Sequence, residues 1–116
     1  MTLLWVGAGL MALTALVHCL VGERKLITPL LAIDHRLTTT LLPRQLIRFA
    51  WHLTGALMMI CAALVVWPGT PDVLVVGTGL VWLLAGIADL IMTRGQHIGW
   101  PLLTLAGLAT IAGKLI

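Results

Sequence analysis

The feature that most restricts this chain is the spacing of its uncharged apolar runs. Residues 3–21 carry no charge at all. A helix needs about 20 apolar residues to cross the hydrocarbon of a bilayer, and this run supplies them. Three further runs follow, at about 45–67, 73–93 and 100–116, the last being the shortest. Arg48 lies in the first turn of the second run and Asp89 near the end of the third. Trp67-Pro68-Gly69-Thr70-Pro71-Asp72 between them reads as a tight turn, with Asp72 placed to cap the third helix. Arg94-Gly95-Gln96-His97 separates the third and fourth runs, and Pro101 suits a first helical turn.

Composition says the same thing. Of 116 residues, 60% are hydrophobic and 9% charged, where a soluble domain averages about 45–50% and about 25%. Mean hydropathy is +1.10. A chain this short leaves about a third of its surface exposed even when folded, so it cannot hide its apolar surface from water. An ordinary soluble enzyme, a disordered chain and a disulfide scaffold are excluded. Cys19 and Cys61 both lie inside apolar runs, without CxxC spacing, and read as small core residues. The pI of 9.5 does not point to nucleic acid. The cations are few and sit beside apolar segments, where lipid headgroups explain them better.

Orientation follows from those cations. Arg24, Lys25, Arg36, Arg44, Arg48 and Arg94 all fall on the side where the first helix ends, and only Lys114 falls on the other. The positive-inside rule then puts both termini outside and the first loop in the cytoplasm. With no organelle signal, the expected location is a bacterial inner membrane. The first run lacks a cationic leader and a small-residue cleavage site, so a span is expected rather than a signal peptide. Trp5, Trp67 and Trp100 lie near helix ends, as interfacial anchors do.

Residues 22–43 are too apolar for a free loop, with Leu26, Ile27, Leu30, Leu31, Ile33, Leu37, Leu41 and Leu42. They are also too few, and too interrupted by Pro29, to span. A helix or turn lying in the interface is expected. Residues 1–116 therefore read as one all-α domain, an integral membrane four-helix bundle with an interfacial segment after its first helix. Val6-Gly7-Ala8-Gly9-Leu10 matches Val76-Gly77-Thr78-Gly79-Leu80 at an offset of 70. Two repeated helical hairpins are one reading of that match. Gly7, Gly9, Gly77, Gly79, Gly86, Gly107 and Gly113 are suited to close helix approach, within the bundle or between copies.

Ionisable groups inside a membrane are costly and need a reason. His18, His52 and Asp89 lie four or five residues inside the cytoplasmic boundary, and Glu23 and His97 lie at it. Arg44, Arg48 and His52 share one helix face. The candidate polar cluster is thus His18, Glu23, Arg48, His52, Asp89 and His97. In the leading reading it is a satisfied network, with Asp89 paired to Arg48 or Arg94 and the histidines bonded to carbonyls or threonines. In a second, His18, His52, Asp89 and His97, with Glu23, ligate a transition metal such as Zn²⁺ or Fe²⁺. In a third, His18 and His52 face each other and hold a b-type haem. A proton or ion relay is the fourth. No G-x-S-x-G, Walker A, G-x-G-x-x-G or paired-carboxylate arrangement occurs, and no catalytic residue is assigned.

Three local patterns occur together: His18-x4-Glu23-Arg24, Arg48-Phe49-Ala50-Trp51-His52 and His97-Ile98-Gly99-Trp100. Together they resemble those of short bacterial four-helix inner-membrane proteins of no assigned activity. The resemblance implies membrane location and four helices, and nothing about chemistry. The function expected first is a non-enzymatic accessory or assembly partner, or a homo-oligomer. Transport of a proton, ion or small solute past His52 and Asp89 is the alternative, and haem or metal binding at His18 and His52 the third.

Overall fold

The structure, a computed structural model, describes residues 2–116, and these are almost entirely helical, with no strand among them. Helix α1 (Thr2–Gly22) runs without interruption into a π-helical turn (Glu23–Ile27) and then α2 (Thr28–Leu31). A bend and the short α3 (Arg36–Thr39) lead to α4 (Leu41–Val66). α5 (Asp72–Thr93) and α6 (Gly99–Leu115) complete the chain.

Three helical stretches are long and apolar enough to cross a membrane: Thr2–Leu31, Leu41–Val66 and Asp72–Thr93. α6, at 17 residues, sits at the short end of the usual spanning range of about 17–25 residues.

The segment at 22–43 differs from its sequence expectation. It does not leave the first helix at Gly22 but extends it to Leu31. Pro29 is the reason a break is expected there, because its ring removes a donor and crowds the carbonyl four residues back. The chain widens to a π turn just before it, and Thr28 N–H bonds back to Glu23 O. Such local widening re-satisfies the groups that a proline frees. Ile27 and Leu31 are buried in this extension. Arg44, one turn into α4, donates to the carbonyls of Leu31 and Thr38. It supplies donors that the end of α2 lacks and fixes the bend onto α4.

Two turns join the remaining helices. At Trp67–Thr70 the Thr70 N–H reaches Trp67 O at 3.2 Å. Pro68 and Gly69, the latter at φ +89°, occupy the central positions that a type II turn requires. Asp72 does not cap α5. Pro71 holds the capping position, and Asp72 instead lies in the first turn and pairs with Lys114 at 2.7 Å. Each charge lies at the helix end whose dipole favours it. At the other end α5 closes on Arg94, at φ 54°, and Gly95, whose N–H bonds Leu90 O at 2.9 Å.

Packing is ordered α4–α1–α6–α5, with α1 and α6 in the middle. α1 buries Leu4, Gly7, Ala8, Met11, Thr14 and Ala15, one stripe at helical spacing. The α1–α6–α5 contacts are close to backbone on backbone. A Cβ added to Gly107 would lie 2.5 Å from Leu83 N and 2.6 Å from Gly79 O. One added to Gly113 would lie 2.6 Å from Leu4 N, and one on Gly86 2.6 Å from Thr104 N. Gly7 packs against Thr110 in the same way. Gly9 and Gly77 have nothing within 4 Å. Of the aligned glycines, the first member is packed in α1 and the second in α5, so the two helices do not use the matched motif equivalently. α4 touches α5 near Val65 and Val75 in a shared core and splays from the α5–α6 hairpin toward the charged end.

Candidate functional site

The charged end is assembled from the last turns of α1, the first half of α4 and the α5–α6 turn. The six expected residues lie there in three groups rather than one.

In the first group, Glu23 on the π turn accepts from Arg48 Nε at 2.7 Å through Oε1 and from Thr28 Oγ1 at 3.3 Å through Oε2. His52 Nε2 lies 3.4 Å from the same Oε1. Arg48 and His52 are one α4 turn apart, so a single carboxylate meets both. Glu23 opens the π turn and follows Gly22 in ordinary helical geometry.

In the second group, His18 stacks on Trp51, with ring centroids 4.0 Å apart and planes 10° from parallel. The two residues also exchange hydrogen bonds with each other's backbone. Trp51 Nε1 donates to His18 O at 2.8 Å, and His18 Nε2 lies 2.9 Å from Trp51 O. A carbonyl only accepts, so Nε2 carries the proton and Nδ1 is the nitrogen left over. Gly22 makes room, since a Cβ there would lie 2.5 Å from the indole. Trp51 is the residue sequence reasoning missed. Its one signal was its place between Arg48 and His52, on the turn of the run that carries the charged residues.

In the third group, His97 Nδ1 donates to Asp89 Oδ2 at 2.7 Å. The expected partners of Asp89, Arg48 and Arg94, are not used. Arg48 is held by Glu23, and Arg94 terminates α5 in a left-handed conformation. The sequence spacing favours the observed pair, because Asp89 ends one helix and His97 precedes the next across a short turn.

Three consequences follow for the chemistry. Among the described residues, no three His, Cys, Asp or Glu side chains come together as a metal-holding group, so the four-ligand arrangement of His18, His52, Asp89 and His97 is not formed. The His18–His52 pair is not poised over a haem either, because His18 is committed to Trp51 through its face and Nε2, and His52 to Glu23. The threonines of the helices do not serve the histidine rings. Thr14, Thr54, Thr78, Thr93 and Thr110 each return their hydroxyl to the carbonyl four residues back.

A cavity of about 520 Å³ lies between α1, α4, α6 and the α5–α6 turn. His18, Trp51 and His97 are in its wall, with Lys25 and Gln96 at the charged end. Glu23, Arg48, His52 and Asp89 are outside it. Apart from Thr14 the rest of the wall is apolar, and the size is that of a small-molecule site, about 300–1,000 Å³. Comparison with protein-family models, curated proteins and solved structures finds no match to this chain.

Proposed function

We propose that this chain is a small inner-membrane protein of bacterial type that crosses the bilayer four times, with both termini outside, and acts without catalysis as an accessory or assembly partner. It works beside another membrane protein or further copies of itself, and its resemblance to short four-helix inner-membrane proteins implies the membrane location and the four helices. The observation that carries this reading is how the polar groups are distributed. The inward-lying ionisable residues are consumed in pairs at one end, while large apolar side chains such as Val73, Ile91 and Met92 stand more than two-thirds exposed. Water does not tolerate such faces, and lipid or a neighbouring helix covers them at no cost. α6 joins the three longer helices as a crossing because it runs beside α1 from Leu4 to beyond Gly7, and about 26 Å of helix nearly matches the hydrocarbon.

Three measurements test this. After an alkaline wash the chain stays with the membrane, and recovery in the soluble fraction overturns the membrane reading. In a chain with Cys19→Ala and Cys61→Ala, a cysteine placed at position 35 is expected to resist an impermeant thiol reagent applied outside, whereas one at 116 reacts. The opposite pattern overturns the orientation. Mild purification then reports mass. Complexes heavier than one 12.4 kDa chain are expected, and a lone monomer overturns the assembly role.

A further inference from the structure

We propose that the cavity between α1, α4 and α6 holds one acyl chain of an anionic phospholipid drawn from the surrounding bilayer, with its phosphate at Lys25 and Gln96. This rests on the membrane reading above.

The polarity of the cavity is graded along its length. The face of α1 and the π turn that lines it runs from Thr14 to Lys25, about 16 Å of helix. Thr14, Val17, Met58 and Leu103 form the end toward the middle of the molecule, and Thr14 has already returned its hydroxyl to Leu10 O at 2.7 Å. That end offers an apolar guest no unmet polar group. Lys25 and Gln96 stand at the opposite end. An amphiphile with its head at the charged end meets both requirements, and the reverse orientation meets neither.

Charge and size narrow the ligand. Glu23 is neutralised by Arg48, and Asp89, outside the cavity wall, accepts a hydrogen bond from His97. Among the described residues Lys25 makes no ion pair, and the cavity wall holds no Arg, Asp or Glu beside it, so the fixed charge facing the cavity is cationic. Water fills about 30 Å³ per molecule, and a methylene is similar, so the cavity has room for one chain of about 17 such groups and not for two. Access is sideways. α4 and α6 barely touch, and the gap between them opens toward the space that a bilayer occupies. Lys25 stands four residues beyond Val21, at headgroup depth when residues 2–21 cross the hydrocarbon. A lysine there attracts anionic headgroups.

The test uses the full chain reconstituted in vesicles of equal phosphatidylcholine and phosphatidylglycerol, released in mild detergent and weighed intact by native mass spectrometry. A single retained phosphatidylglycerol per chain is expected. Lys25→Gln lowers the retained ratio of anionic to zwitterionic lipid about fivefold, while Arg24→Gln, outside the cavity, leaves it unchanged. Val17→Phe fills the cavity and removes retention of both lipids, and circular dichroism confirms that each variant is folded. If Val17→Phe does not fold, the Lys25 and Arg24 variants decide alone. Equal retention of the two lipids, or equal effects of the two charge variants, overturns the proposal. Replacement of the retained phospholipid by added oleate overturns the bilayer source in favour of a free fatty acid. Loss of the chain to the soluble fraction on alkaline washing is a separate result, and sinks the membrane reading itself.

Discussion

Toward α6, α1 lies almost backbone on backbone, through Gly7 against Thr110 and Gly113 against Leu4, and α6 meets α5 likewise through Gly107 and Gly79. Toward α4, the charged half of α1 is held by side chains: the His18–Trp51 stack with its two reciprocal hydrogen bonds, and the Glu23–Arg48 pair. The same helix is thus fixed by two different physical means. Small residues give contact over a long stretch, which suits a medium where apolar side chains gain nothing by leaving lipid. The polar contacts are few and local. They also hold α4 at a distance from α6, which is why the cavity lies on that side. Tight packing and an open pocket are therefore complementary results of how α1 treats its two neighbours.

The largest effect is expected where the contact is backbone to backbone. Gly107→Val drives a branched side chain into Leu83 N and Gly79 O, neither of which can rotate away. It is expected to cost about 3 kcal/mol or more, read as a lower midpoint in a denaturing-detergent titration. A wild-type midpoint would show that α5 and α6 are not held this closely. On the other side, Trp51→Ala removes a half-buried ring with its stack and its bond to His18 O. About 2 kcal/mol is expected, below the roughly 3–5 kcal/mol of a fully buried Trp. Its second signature is specific to that side. The α1–α4 separation, followed by a label pair at the exposed positions 20 and 53, increases while the α5–α6 hairpin keeps its geometry. A hairpin that loosens equally would mean the two sides are one cooperative unit.

Legibility in the sequence divides along the same line. The helical class, the turn at Pro68-Gly69 and the close-packing role of Gly107 and Gly113 could be read directly, because each depends on local rules of length, φ or side-chain size. The partners of the polar residues could not. Glu23, Arg48 and His52 meet because α4 packs beside the end of α1, with Arg48 and His52 one turn apart against one carboxylate. Nothing in residues 23–27 announces the π turn except the proline after it, which by ordinary rules argues for a break. Of the two partners His18 took, the carbonyl is of the kind residue chemistry suggested, and the aromatic ring of Trp51 is not. Asp89 chose His97 over two arginines because the Arg94-Gly95 turn carries one arginine away and Glu23 already holds the other. Pairings among scattered polar groups are set by global geometry, and a sequence shows the groups without the distances.

The smallest effects are expected at the matched glycines, and they sharpen the comparison most. Were α1 and α5 packed as copies of one another, Gly7 and Gly77 would respond alike to alanine, as would Gly9 and Gly79. The geometry gives the reverse pairing. Alanine at Gly7 meets Thr110, and alanine at Gly79 lies 3.1 Å from Gly107 O, so both variants are expected to lose stability. Alanine at Gly9 or Gly77 meets nothing within 4 Å and trades a poor helix former for the best. Each is expected to gain about 0.5–1 kcal/mol in the same detergent titration. Losses at Gly9 and Gly77 as large as at Gly7 and Gly79 would place unseen neighbours on those open faces. Because both glycines face away from the α1–α6–α5 packing, such losses appearing only at high protein density in the membrane would identify those neighbours as other copies of the chain.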